Sequence, residues 1–344
     1  MKRRVLGGTG MSVSEMALGT MMLGQRGNAD HGSAVRIVHR ALDAGINFVD
    51  TADVYSMGES EEIVGQALKG RRDEVVLATK FSRPMGQDDN QRGASPRWIA
   101  RAVEDSLRRL GTDYVDLYQL HRPDHTTDLD ETLSALSDLV HAGKVRAIGA
   151  SMFPAELIVE AQWAAQRGGH RRFLTEQPKY SILTRRAEWA VLPTTQRYNM
   201  GVLSFGPLSG GWLTDRDDPT TGFRAQGVSA RDFDLSIPAN QAKRRAVDQL
   251  RALAKEAGMP LTHLATAFVL AHPGITSVII GPREEGQLED LLAGAGVELD
   301  DDVLDRIDQI VPPGTEVNPA DNYFATPPAI EHKHLRRRTG RTGQ

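Results

Sequence analysis

Eight short apolar runs, each closed by a polar turn and followed by an amphipathic stretch, divide this 344-residue chain. MALG (16–19), NFVD (47–50), EVVLATK (74–80), VDLYQLH (115–121), RAIGAS (146–151), FLTEQ (173–177), GVLSF (201–205) and TSVIIG (276–281) read as strands. Helices are expected at 33–44, 59–68, 96–110, 154–167, 186–197 and 284–292, with another opening near Asp130 and Glu131. Strands this apolar on both sides, separated by helices, are what a parallel sheet buried on both faces requires. Ser95-Pro96 and Pro154 mark helix starts, and Gly45, Gly70, Gly111, Gly143 and Gly168 mark helix stops.

Eight such units can close into a (β/α)8 barrel or stay an open, doubly wound sheet. An open dinucleotide-binding sheet carries G-x-G-x-x-G after its first strand. Here the richest glycine cluster, Gly7, Gly8 and Gly10, lies before that strand, between RRVL (3–6) and SVSEM (12–16). It reads as an N-terminal β-hairpin over 1–15 that would plug the bottom of a barrel. No shift in composition marks a second domain, and a (β/α)8 barrel takes roughly 250 residues plus inserted loops. The expected fold class is α/β, one (β/α)8 TIM barrel domain spanning 1–344. Three additions to the repeat are expected: a long loop at 207–239, two helices (240–257 and 261–271) before the last strand, and an irregular C-terminal tail at 312–344.

The formal charge of −4 argues against a general binder of nucleic acid. The basic run of Arg336, Arg337, Arg338 and Arg341 reads as a solvated tail. Absence of cysteine removes disulfides, thiolate zinc sites and a thiol nucleophile, and suits a reducing compartment. No apolar run reaches the roughly 20 residues that cross a bilayer. The opening MKRRVLGGTG breaks into glycines before any signal-peptide core. The expected setting is cytoplasmic, without a nucleic-acid or membrane partner.

In a barrel, chemistry sits at the C-terminal ends of strands. Asp50 closes the second strand, Tyr55 lies in the loop beyond it, Lys80 closes the third and His121 the fourth. Taken singly, Asp50 suits a turn or helix N-cap, Tyr55 and His121 suit half-buried surface positions, and Lys80 suits a charge at a strand end. Together they make chemical sense. A phenol with an ordinary pKa of about 10 is a poor proton donor near neutrality, and a neighbouring ammonium favours its phenolate. A buried ammonium in turn needs a carboxylate to stay charged. An imidazole can orient a carbonyl oxygen or relay a proton. An acid poised over a carbonyl, with no metal-ligand cluster beside it, calls for hydride from a nicotinamide.

The string FVDTADVYSMGESEEIVGQALKG (48–70) closely resembles the aldo-keto reductase signature, with LATKF (77–81) resembling its lysine strand and DLYQLHRPD (116–124) its histidine strand. The likeness spans residues 3 to 315, within the branch of bacterial members that resembles the β-subunits of voltage-gated potassium channels. It implies a catalytic tetrad of Asp50, Tyr55, Lys80 and His121, with Tyr55 the general acid, and an NADPH-dependent reduction of a small aldehyde or ketone to an alcohol. The same resemblance implies the cofactor contacts. Gly19, Thr20 and Asp50 belong to them, Ser151 and Gln177 hold the carboxamide, and Phe205 stacks on the nicotinamide ring. Gly206, Pro207, Leu208, Ser209 and Gly211 line the pyrophosphate path. Gly281, Arg283, Gln287 and Asp290 take the adenosine phosphate, with Arg283 suited to fork onto a 2′-phosphate. Met152 stands where the pattern has Asn, Phe205 where Tyr is commoner, and Leu291 where Asn is usual. The alternative implied by the channel-subunit likeness is a nucleotide-binding regulatory module with vestigial activity.

Overall fold

Alternation along each strand decides what the interior holds. The computed structural model describes residues 1–216, 218, 223, 229–325, 330 and 333–337. β1 (Arg3–Val5) and β2 (Ser12–Ser14) pair antiparallel as the expected hairpin. They lead into β3 (Met16–Gly19), β4 (Phe48–Asp50), β5 (Val76–Phe81), β6 (Val115–Leu120), β7 (Val145–Ser151), β8 (Thr175–Gln177), β9 (Gly201–Phe205) and β10 (Ser277–Ile280). These eight close into a parallel barrel in chain order, β10 sealing against β3.

Inside, Ala17, Phe48, Ala78, Leu117, Ala147, Leu203 and Ile279 meet in one apolar cluster, into which the hairpin inserts Leu6 and Val13. The base of the barrel is thus filled from below. Because side chains alternate with period two, the next inward position along these strands holds Gly19, Asp50, Lys80, Gln119, Gly149 and Phe205. A polar layer therefore lies directly above an apolar floor.

The helices cover the outside. They are α1 (His31–Asp43), α2 (Glu59–Leu68), α3 (Pro96–Leu110), α4 (Leu129–His141), α5 (Ala155–Gly168), α6 (Val191–Arg197), α7 (Pro238–Glu256), α8 (Leu261–Ala271), α9 (Glu285–Ala293) and α10 (Asp301–Ile310). Ser95 caps α3 by accepting from the Trp98 N–H at 3.3 Å, with Pro96 at the first helical position, as the sequence suggests. No helix among the described residues is long and apolar enough to cross a membrane.

Two expectations need correction. The helix expected at 186–197 is split into a 3-10 turn at Arg186–Glu188 and α6. Pro193 has no N–H and its ring clashes with the carbonyl four residues back, so a helix cannot run through from 186. The stop expected at Gly168 falls one residue later, where Gly169 takes the left-handed cap at φ +69°. Gly168 serves a close approach instead: a Cβ there would stand 2.3 Å from His170 Nε2.

Of the expected long loop, residues 217, 219–222 and 224–228 lie outside the described residues, as do Arg338 and Arg341 of the basic tail. Its two ends are tied down. Trp212 stacks on Phe233 at 5.2 Å, and the fully buried Lys243 ammonium binds both Asp321 oxygens at 3.0 and 3.1 Å. Lys179 Nζ donates to the Asp321 carbonyl at 2.6 Å, fastening the turn Pro319–Ala325 to the body.

Candidate active site

The loop after β4 continues to pair with β5, with Thr51 N–H bonded to Ala78 O at 2.9 Å and Asp53 N–H to Lys80 O at 3.1 Å. The chain then turns through Tyr55–Gly58 into α2, where Ser60 Oγ donates to Thr20 O at 2.9 Å. This path folds Tyr55 back over the strand end. Lys80 Nζ lies 2.5 Å from Asp50 Oδ1, 2.8 Å from Thr51 O and 3.4 Å from Tyr55 Oη. The His121 ring, just past β6, meets the Tyr55 ring edge to face with centroids 5.8 Å apart. All four groups singled out in the sequence therefore converge at one mouth.

Their charges are set by what surrounds them. Burial alone pushes the Lys80 ammonium toward neutrality; the charges of Asp50 and Tyr55 and their hydrogen bonds outweigh it and leave the Lys80 pKa raised. Lys80 is thus a cation at neutral pH. Burial, with Lys80, Arg122 and Arg83 nearby, holds His121 well below the ordinary imidazole range. It is a neutral ring at neutral pH.

Two amides absent from the tetrad complete this centre. Asp50 Oδ2 accepts from Gln177 Nε2 at 2.9 Å and from Gln119 Nε2 at 3.1 Å. Gln119 escapes motif matching, yet its place two residues before His121 on an inward-facing strand could have revealed it. Arg122 is a second addition: its Nη1 lies 2.8 Å from His121 O and 3.5 Å from Ser151 Oγ. A third is Glu176, fully buried, with Oε1 accepting from Phe153 N–H at 3.0 Å and burial raising its pKa to about 8. Asp53 is a fourth, a buried carboxyl with neither oxygen partnered; burial and the charge of Glu61 raise its pKa well above the ordinary range.

The expected cofactor residues occupy an arc across the same mouth. Ser151 ends β7 and donates to Gln177 O at 2.9 Å. Phe205 ends β9 half-buried, followed by Gly206, Pro207 and Leu208, with Ser209 Oγ 2.8 Å from Ser181 Oγ. A Cβ built at Gly211 or Gly286 meets nothing within 4 Å, and one at Gly281 comes only to 3.9 Å from Gly19 O, so these positions border open space. No side chain caps the start of α9, leaving backbone N–H groups for an anion. This donor set fits a dinucleotide.

Like Asp50, Gln177, Ser151 and Ser209, four more of the expected contacts are already engaged within the chain. Thr20 is fully buried against Ser60, with Oγ1 2.9 Å from Ser60 Oγ. Gln287 Oε1 accepts from Arg283 N–H at 2.9 Å, and Asp290 Oδ2 from Thr262 Oγ1 at 2.9 Å. The Arg283 guanidinium pairs with Glu284 and lies 4.4 Å over the Phe223 ring.

A closed eight-stranded barrel with a Tyr, Lys, Asp and His at its mouth defines a class of oxidoreductase, and comparison with known proteins agrees. The chain belongs to the aldo/keto reductase family, whose model matches residues 15–312. It is 38% identical to "Uncharacterized oxidoreductase YrpG" of Bacillus subtilis, across 92% of this chain and 98% of that protein. "Aldo-keto reductase YhdN" of the same organism is 36% identical, across 94% and 97%. "Probable voltage-gated potassium channel subunit beta" of Oryza sativa subsp. japonica is 34% identical, across 90% and 97%.

Proposed function

We propose that this protein reduces an aldehyde or ketone to the alcohol at the expense of NADPH, with Tyr55 as proton donor. The observation carrying this reading is the chain of contacts from Asp50 to Lys80 Nζ to Tyr55 Oη, at 2.5 and 3.4 Å, beside a neutral His121. A bound nicotinamide would supply hydride chemistry at this mouth. The protein's part is to hand the phenolic proton of Tyr55 to the carbonyl oxygen while that oxygen gains charge. Lys80, kept cationic by Asp50, stabilises the phenolate left behind, and His121 donates a hydrogen bond that orients the carbonyl. Ser151 and Gln177 would hold the carboxamide, Phe205 the ring face, and Arg283 the 2′-phosphate.

Replacing Tyr55 with Phe removes the proton donor and nothing that holds the nucleotide. The kcat should fall by at least about 100-fold, the scale of general-acid catalysis, with NADPH affinity near that of the wild type. Retained turnover would remove Tyr55 from the role. The likeness to a channel β-subunit supports a second reading, a nucleotide-binding regulatory module. NADPH consumption with a panel of aldehydes separates the two.

A further inference from the structure

Asp50, Gln119 and Gln177 close a ring of hydrogen bonds inside the barrel, and its polarity can run in only one sense. Asp50 Oδ1 faces Lys80, while Oδ2 accepts from Gln177 Nε2 at 2.9 Å and from Gln119 Nε2 at 3.1 Å. Gln119 Oε1 in turn lies 3.4 Å from Gln177 Nε2. All three residues are buried, Gln119 completely. The nitrogen and oxygen of a side-chain amide are told apart by their partners. A carboxylate only accepts, so both amides must turn nitrogen toward Asp50. Flipping either one would set oxygen against oxygen in a buried site, where an unmade hydrogen bond is costly.

This arrangement uses both N–H groups of Gln177, one on Asp50 and one on Gln119. The atom left over is Gln177 Oε1, which no hydrogen bond reaches among the described residues and which keeps contact with solvent. Ser151 adds to the same polarity: its hydroxyl proton is spent on Gln177 O at 2.9 Å, so toward a ligand its oxygen can only accept. Asp50 alone could not impose this state. It holds one N–H of Gln177, and the amide could still turn about that bond and send its second N–H to the mouth. Gln119 removes that freedom from across the barrel, since β6 and β8 are separated by β7. On β7 the inward position is Gly149, where a Cβ would come 3.3 Å from Gln119 Cγ and 2.0 Å from Thr175 Oγ1, so no side chain intervenes.

We propose that Gln119 is a positioning residue that locks the Gln177 amide with its nitrogen inward, so that a bound nicotinamide meets acceptors and is read through the NH2 of its carboxamide. Gln119 touches neither substrate nor nucleotide and acts through Gln177 and Asp50. The proposal deepens the reductase reading and rests on it for the identity of the ligand.

Equilibrium binding of NADP⁺ against its 3-acetylpyridine analogue reads this polarity, because the analogue carries a methyl group in place of NH2 and keeps the carbonyl. The wild type should prefer NADP⁺ by about two- to tenfold, the range of one neutral hydrogen bond. Gln119→Met keeps the volume and loses both amide contacts, and there the preference should fall toward one. A variant that is merely less well folded loses affinity for both nucleotides alike and keeps the ratio. Proton exchange at the Gln177 side-chain amide, followed by NMR without nucleotide, reads the lock itself. Both N–H protons should be protected in the wild type, and one should exchange about tenfold faster in Gln119→Met. Protected protons in a protein that binds neither nucleotide uphold the lock, and the reductase reading then fails alone. Equal binding of the two nucleotides by the wild type, or a preference unchanged in Gln119→Met, overturns the proposal. So do Gln177 protons that exchange freely in the wild type.

Discussion

Lys80 is a fully buried ammonium, and Asp50 is the carboxylate that matches it. Removing one partner of a buried pair leaves the other charge without compensation, at a cost of about 3–5 kcal/mol. Asp50→Asn should therefore lower stability on that scale in urea unfolding, and lower kcat because Lys80 no longer holds a full charge beside Tyr55. Met152 makes a second case. It is buried at φ +60°, a left-handed conformation that Asn accepts more readily than Met. Met152→Asn should retain activity and tighten NADPH by about two- to tenfold, from one added hydrogen bond worth roughly 0.5–1.5 kcal/mol. Weaker binding in a fluorescence titration would mean that the Met side chain is itself the better packing. At this scale the sequence was readable where chemistry dictates residue type: Asp50, Tyr55, Lys80 and His121 are ionisable groups at strand ends, where apolar side chains are the rule. Gln119 and Arg122 were not readable. Their significance depends on which strands become neighbours and how closely, and that exists only once the barrel has closed.

On the reading proposed above, helix α9 is the element that would meet the adenosine phosphate. Its uncapped start faces open space beside Gly281 and Gly286, while Arg283 is parked on Glu284 and the Phe223 ring. A half-exposed ion pair of this kind is worth little, so exchanging Glu284 for a phosphate costs little. Arg283→Ala should weaken NADPH by about 1.5–3 kcal/mol and leave NADH nearly unchanged. Equal losses in titrations of the two cofactors would show that Arg283 does not read the 2′-phosphate. Element order and type were legible because the apolar runs and their glycine or proline stops repeat. The misplacements were local. Pro193 interrupts a stretch that otherwise reads as one helix, and the Gly168-Gly169 pair offers two adjacent stops, of which the second takes the left-handed cap.

Across the whole molecule, buried groups pull the pH dependence of stability in opposite directions. The depressed imidazoles of His121 and His272 favour the fold as pH rises toward about 6.5, whereas the raised carboxyls favour it less. Burial lifts Glu176 from the ordinary 4.5 to about 8, and Asp53 is raised as well. The folded protein keeps protons that the unfolded chain releases from about pH 4.5 upward. The contribution of Glu176 to the unfolding free energy therefore declines with pH between about 4.5 and about 8, then levels once Glu176 ionises in the folded state too. Glu176→Gln cannot ionise and still offers Oε1 to the Phe153 N–H. It should show a shallower decline and a higher urea midpoint than wild type at pH 8, with a difference that vanishes near pH 4. Identical slopes would place the buried proton elsewhere.

The hairpin that inserts Leu6 and Val13 beneath the apolar floor gives the barrel a closed base. A vessel with one opening imposes an order of traffic. On the reading proposed above, the carbonyl comes in and the alcohol goes out past the same rim, and the proton that Tyr55 gives away has no route up from below. Each new proton must come down from solvent through a passage the product still fills, so Tyr55 is recharged only after the alcohol has gone.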